Sequence, residues 1–414
     1  MYYENKFDVV IIGGGASGMM AAAVAAQKGK RVVLLEKNKV LGAKLRISGG
    51  GRCNITNNED DIRTFLENYG KAKDFLFSPF AQFSKEDTFK YFESRGLKLA
   101  VQARNRVFPI TEQAEDVALL LEKELKKYNV LVKTDTKVLK INQTDGKIES
   151  VETNQGTFSG TSVILAKGGV SHPETGSTGD GFSWLSGLGH TVKDPTPTIV
   201  PMAVSDLWVK SLAGVSLTFM KITFFLDKKK QFSKTGKILF THFGLSSPLI
   251  LNSASQVGEL LMNGEVTAEI DAYPDTDLGS LDAKIIHIFD LNKNKTLKNV
   301  LREFVPHGMT KGFELLLPET LLDKAVHSVS RDERKGIVQL LKALPVEITG
   351  LMGNDRAVSA DGGVILEEMD MKTMKSKLFE NLFITGDLLH INRPSGGYSL
   401  QLCWTTGFIA GSNV

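Results

Sequence analysis

The pattern Gly13-x-Gly15-x-x-Gly18 narrows the folds open to this chain more than any other feature. It follows a β-branched apolar run at residues 7–12 and opens an Ala- and Met-rich stretch at residues 17–28, which Gly29 stops. A second apolar run, residues 31–35, ends at Glu36. Strand, helix and strand within about thirty residues, closed by an acid, form the frame that a dinucleotide site requires. Gly13 permits the tight turn. At Gly15 the backbone can approach a pyrophosphate with no Cβ in the way, and Gly18 lets helix and strand pack closely. Ala16 and Ser17 begin the helix, whose unpaired N–H groups and positive dipole end suit phosphate. Glu36 can accept hydrogen bonds from ribose hydroxyls and repels a 2′-phosphate, and Lys37 lies beside it. The competing reading, a glycine-rich turn of another α/β fold, leaves the register of these parts unexplained.

Two more segments point from a dinucleotide to FAD. After Glu36 no second helix is expected; residues 42–58 are polar and glycine-rich. Gly49, Gly50 and Gly51 let the chain pass close to a large cofactor. Lys44, Arg46 and Arg52 can neutralise pyrophosphate, while Ser48, Asn54 and Thr56 can hydrogen-bond a ring edge. Cys53 is read as packing on the cofactor side, since no activating histidine or acid stands beside it. Near the other end, residues 381–387 form an apolar strand ending in Gly386-Asp387, where an acid can bind a ribityl chain. Gly397, Tyr398, Ser399, Leu400 and Gln401 then open the last helix, whose N-terminus would stabilise negative charge on a reduced flavin. Val138, Ala166, Gly168 and Gly181 complete the expected lining. A solvated loop at 42–58 and a plain helix-entry turn at Gly396-Gly397 are the competing readings.

With 414 residues the chain has room for two or three domains. Three prolines at positions 195, 197 and 201 mark a boundary. The expected division is a first part of the FAD-binding domain at 1–193, a β-rich substrate domain at 194–275, a helical domain at 276–344, and the second FAD-binding part at 345–414. The charge is balanced, 50 Lys+Arg against 47 Asp+Glu. That opposes a nucleic-acid or membrane partner. No window approaches twenty apolar residues, and residues 1–6 lead straight into a strand, so neither a membrane span nor a secretory signal is expected. Two cysteines, Cys53 and Cys403, fit a reducing cytosol and exclude a Cys₄ metal site; no metal is expected.

Several motifs together resemble a known family. They are the residue 13–18 fingerprint, Lys44-Leu-Arg-Ile-Ser-Gly-Gly-Gly-Arg-Cys-Asn54, Gly176-Ser-Thr-Gly-Asp-Gly181, Phe240-Thr-His-Phe-Gly244, Thr373-Met-Lys-Ser-Lys377 and Gly396-Gly-Tyr-Ser-Leu-Gln401. Across essentially its whole length the chain resembles the bacterial BaiN-like flavoproteins, a family that includes aminoacetone oxidase. The resemblance implies one FAD per chain and an α/β fold. In that fold a Rossmann-type, glutathione-reductase-like FAD-binding domain carries an inserted β-barrel-like domain and a small helical domain. Three places depart from the family pattern: Ala166-Lys167-Gly168-Gly169, Gly244-Leu-Ser-Ser247-Pro248 and Asp387-Leu-Leu-His390. The first and third are expected to face the flavin or its substrate side.

The middle of the chain has no second dinucleotide unit, and residues 176–181 lack a strand–helix–strand frame. There is no Cys-x-x-Cys, so a dithiol relay is disfavoured. Direct hydride transfer between a small substrate and flavin N5 remains, with oxygen as acceptor. His390, His242 and Tyr398 are the candidate bases; a satisfied structural role is the competing reading for each. Trp404 and Phe243 are read as core. The leading expectation is an FAD-dependent oxidase of a small primary amine such as aminoacetone, releasing hydrogen peroxide in the cytoplasm. The alternatives are an NAD(P)H-dependent flavin reductase of an enone-like substrate, an RNA-acting flavoprotein and a non-catalytic flavin-binding regulator. The basic cluster Lys28, Lys30, Arg31, Lys37, Lys39 and Lys44 is assigned to pyrophosphate and solvent. The oligomeric state is left open.

Overall fold

The computed structural model describes residues 6–353 and 359–414. Residues 1–5, on which the expected absence of a secretory signal partly rests, lie outside them. The chain divides into two compact units: Met1–Thr196 with Val358–Val414, and Pro197–Ala357.

The first unit is built on strand β1 (Lys6–Ile12), helix α1 (Ala16–Gln27) and strand β2 (Val32–Leu35). Val9 to Ile12 and Val32 to Leu35 are almost wholly buried, as central parallel strands require. Helix α2 (Ala43–Ile47), strand β3 (Thr56–Asn57), helices α3 (Lys85–Glu93) and α4 (Ala114–Lys127), and strands β4 (Leu131–Lys133) and β5 (Gly156–Leu165) follow. Helix α5 (Asp180–Gly187) comes next, before the chain leaves the unit. Helix α3 starts on a capping box, with Ser84 and Asp87 satisfying each other's backbone N–H groups.

The second unit is a closed antiparallel barrel. Its strands are β6 (Met202–Val204), β7 (Ser216–Leu226), β8 (Lys229–Phe240), β9 (Gly244–Ser246), β10 (Val266–Asp271) and β11 (Leu344–Leu351), in the order β6-β9-β8-β7-β10-β11. Alternate residues point inward: Ile222 faces Ile270 and Phe224 faces Ala268 across β7 and β10. Helices α6 (Leu278–Leu291) and α7 (Arg331–Lys342) share one hydrophobic core with the barrel. The boundary expected at 344/345 therefore falls at the start of the barrel's closing strand, and the second unit continues to Ala357.

Back in the first unit, strand β12 (Leu382–Ile384) and helix α8 (Tyr398–Ser412) complete the fold. The parallel core of the sheet runs β12-β5-β1-β2-β4. Helix α1 is buried on nearly every residue because α8 lies against it. At Gly407 and Gly411 a Cβ would come within 2.4 Å of the Ser17 and Ala21 carbonyl oxygens. Among the described residues, no helix is long and apolar enough to cross a membrane.

Candidate functional site

The turn between β1 and α1 has the geometry its glycines imply. Gly13 adopts φ +107°, and a Cβ there would lie 2.4 Å from the Ala166 carbonyl oxygen. A Cβ on Gly18 would strike the Gly13 carbonyl at 1.9 Å, so both glycines are required by backbone packing. Gly15 differs: a Cβ there would meet nothing within 4 Å. It caps α1 with no side-chain hydrogen bond, leaving the first N–H groups at Ala16 and Ser17 to a ligand or solvent. The buried Glu36 is fixed by two backbone donors, Gly14 N–H at 2.7 Å and Asn38 N–H at 2.8 Å, one on each carboxylate oxygen. Each oxygen keeps a lone pair for a ribose hydroxyl.

The end of β12 meets the start of α1. The Thr385 hydroxyl donates to Ser17 Oγ at 3.2 Å, and a Cβ on the left-handed Gly386 would lie 2.9 Å from Ser17 Oγ. Asp387 follows, ion-paired with Arg393 and 3.3 Å from Lys44 Nζ. Lys44 also donates to Ser171 Oγ at 2.5 Å. Burial alone would raise the Asp387 carboxyl, but Arg393 and Lys44 outweigh it and hold it at about 2. Arg393 is wholly buried, donates through Nε to the Ile391 carbonyl at 2.9 Å, and has no partner for Nη2.

The glycine-rich segment meets the start of α8. Gly49 and Gly50 are left-handed, with φ +59° and +69°. A Cβ on Gly397 would come within 2.2 Å of the Thr56 carbonyl, and Asn57 Nδ2 donates to the Gly396 carbonyl at 3.0 Å. Thr56 and Thr88 both donate to Gln401 Oε1, at 2.6 and 2.9 Å, while Gln401 Nε2 serves Ser84 O and Thr405 Oγ1. Gln401 and Thr56 therefore tie α8 to β3 and α3. Ser399 and Leu400 are half-buried in the first turn of α8. Asn54 Oδ1 is buried without a partner.

Other expected residues are engaged elsewhere. Arg46 binds Glu122 at 2.6 Å, Glu115, and the Leu41 carbonyl at 3.0 Å, which fastens α2 to α4. Arg52 lies 4.5 Å over the Phe108 ring and 3.4 Å from Glu112. Ser48 donates to Leu45 O at 2.7 Å. Cys53 is buried and its thiol is pushed up to about 12 by that burial. Val138 is buried in the core, and Trp404 is buried with its N–H on Ile55 O at 3.0 Å. Gly168 is left-handed and packs near Ser177 Oγ; at Gly181, in α5, a Cβ would crowd Leu388 at 2.6 Å. The basic cluster is dispersed: Lys28 reaches the Ser412 carbonyl, Lys37 reaches Asp180 and Lys44 reaches Asp387.

Among the candidate bases, Tyr398 packs its ring 4.9 Å from Phe65 and 6.0 Å from Tyr69. Burial, then Glu59, raises its phenol. His390 Nε2 lies 3.4 Å from Asp361 Oδ1. His242 is exposed in the turn between β8 and β9 of the second unit. Sequence reasoning missed Arg393, whose signal is a lone arginine between Gly386-Asp387 and Gly396-Gly397. In the Ala166–Gly169 segment, expected to face the flavin or its substrate side, the Lys167 ammonium lies 3.4 Å from Asp180, which neighbours Lys37.

These features fit a flavin dinucleotide. There is open space at an uncapped helix start, a fixed acid with lone pairs to spare, and orphaned polar atoms on Asn54 and Arg393.

Comparison with known proteins gives the same picture. The model of the HI0933-like protein Rossmann domain matches residues 7–413. The chain is 28% identical over 388 residues to the 3-dehydro-bile acid delta(4,6)-reductase of Clostridium scindens, covering 92% of each. It is 27% identical over 419 residues to the ribosomal RNA dihydrouridine synthase of Haemophilus influenzae, covering 100% of this chain and 98% of that one. Its fold matches the 3-ketosteroid-delta4-(5alpha)-dehydrogenase from Rhodococcus jostii RHA1 with a TM-score of 0.55 at 13% identity, over 100% of this chain and 97% of the other. It also matches the open conformation of a flavocytochrome c3 fumarate reductase with a TM-score of 0.54 at 15% identity, over 99% and 78%. A family model that runs from the first strand to the last helix leaves one conclusion: the chain belongs to the HI0933-like family and is an oxidoreductase that works with FAD.

Proposed function

We propose that this protein reduces a carbon–carbon double bond conjugated to a carbonyl in a small organic molecule, with NAD(P)H as electron donor. One observation carries the reading. Two relatives matched over more than nine-tenths of their length carry names that fit such a reduction: a 3-dehydro-bile acid delta(4,6)-reductase and a ribosomal RNA dihydrouridine synthase. Bound FAD supplies the hydride chemistry.

This chain's residues supply the rest. Glu36 and the uncapped start of α1 hold the dinucleotide. The start of α8, Arg393 and Lys44 bring positive charge to the site, which favours an anionic reduced ring. Cys53 and Cys403 are both buried and pushed up to about 12, so both stay neutral thiols and a thiol relay is disfavoured. The substrate carbon opposite the hydride needs a proton. Of the three candidates, His390 is the half-buried one with a carboxylate beside it. The amine oxidase expected from the sequence is the second reading. It is favoured by the aminoacetone oxidase in the family that the motifs resemble.

The yellow holoprotein is mixed with NADH or NADPH under nitrogen, then offered a steroid dienone; peroxide release from aminoacetone is followed in air. Bleaching by the nicotinamide, reversed by the dienone, is the expected result. Reversal by uridine-containing RNA alone would replace the small molecule with RNA. Peroxide from aminoacetone with no bleaching by either nicotinamide would overturn the reductase in favour of the oxidase.

A further inference from the structure

Lys167 stands two residues past the end of β5 and borders the phosphate turn: a Cβ on Gly13 would lie 3.0 Å from the Lys167 Cα. Its side chain is only 9% exposed. The ammonium lies 3.4 Å from Asp180 Oδ2 and donates to the Gly176 carbonyl at 3.2 Å. Lys37 reaches the same Asp180 oxygen at 3.2 Å and Thr178 Oγ1 at 2.5 Å. Two ammoniums therefore share one carboxylate. The other acid facing them, Glu36, already accepts two backbone N–H groups.

The segment around this cluster has little freedom to relax. Asn38 Nδ2 donates to the Thr175 carbonyl at 2.9 Å, and a Cβ on Gly176 would lie 2.6 Å from Asn38 Nδ2. A Cβ on Gly181 would sit 3.3 Å from the Lys167 Cβ. Burial, then Lys37, lowers the Lys167 ammonium to about 8, against the opposing pull of Asp180 and Glu36. The positive charge is therefore costly without an anion. The turn beside it is built to receive a diphosphate, which carries two negative charges. Whatever favours the charged form in the complex must, by linkage, favour the complex when the group is charged.

We propose that Lys167 is a cofactor-binding group that takes up a proton as FAD binds, so that its ammonium holds FAD and its neutral amine releases it. The sign follows from the linkage. FAD affinity is highest below the titration of the cofactor-free lysine and falls as pH rises through it.

Holoprotein is dialysed at about pH 7 and about pH 9.5, free FAD is read by fluorescence, and circular dichroism checks the fold. Wild-type retention is expected to weaken by about tenfold or more over this range. Lys167→Met, which carries no charge, and Lys167→Arg, which keeps its charge, should both lack the slope. Equal wild-type retention at the two pH values overturns the proposal. So does an alkaline loss in Lys167→Arg that matches wild type, and that comparison stands even if Lys167→Met does not fold.

Discussion

At the residue scale, the strongest single commitment is the pair of Asp387 with Arg393. A guanidinium with no exposed surface is tolerated when its charge is met, and removing one partner of such a pair costs about 3–5 kcal/mol. Asp387 is held at about 2, below the ordinary carboxylate value of about 3.9. A depressed carboxylate stabilises the fold above its ordinary value and loses that contribution as pH falls toward 2; here it amounts to about 2–3 kcal/mol. Arg393→Gln should therefore be less stable than wild type at neutral pH, with the gap closing between about pH 4 and about pH 2. Urea unfolding at several pH values, followed by tryptophan fluorescence, measures it. A gap that stays constant to pH 2 would assign the loss to packing instead. Residues of this kind were the least legible from the sequence. Glu36 and Asp387 end apolar strands, which marks them. Arg393, Lys167 and the α4 partners of Arg46 depend on segments far away in the chain. A basic residue near a glycine turn reads the same whether it meets a phosphate or, as Arg46 does, two glutamates.

At the element scale, the periodic segments were legible and the short ones were not. Helices α3 and α4 follow from local properties: apolar spacing in both, and in α3 the capping box at Ser84. Residues 42–58 read as polar and glycine-rich, yet the good helix formers of Ala43–Ile47 make α2, which the ion pairs of Arg46 fasten to α4. The contact of α1 with α8 is also hidden, since alanine and glycine read equally as surface or as close packing. Gly407 and Gly411 stand four apart, on one face of α8, with Ser17 and Ala21 carbonyls where their Cβ atoms would be. The neighbours are backbone, so neither can give way as a side chain would. Gly407→Ala should cost about 1–3 kcal/mol through overpacking. It should also weaken FAD retention, because the displaced residue, Ser17, begins the phosphate-binding helix. Melting temperature and bound FAD per chain test the two parts separately. A lower melting temperature with full FAD content would show that α1 moves without disturbing its N-terminus.

At the scale of the whole molecule, the division into units was the hardest feature to read. A strand pattern at residues 344–351 looks the same whether it returns to a parallel sheet or closes a barrel. Only its pairing with β10 and β6 decides. The consequence is that every group assigned to FAD lies in Met1–Thr196 and Val358–Val414, with its own core, while the barrel and its helices share another. A ligand bound to one compact unit raises the free energy of opening that unit, by about 4 kcal/mol at a thousandfold excess over its dissociation constant. It does nothing for a unit that opens independently. Hydrogen exchange read by mass spectrometry, at limiting and at saturating FAD, should therefore slow in α1, β12 and α8 and stay unchanged in β7, β8 and β10. Each element is compared with itself at the two FAD levels, because α1, β12 and α8 are nearly all buried while much of β8 is exposed. If the barrel strands gained as much protection as α1, the two units would open as one and share a single folding equilibrium.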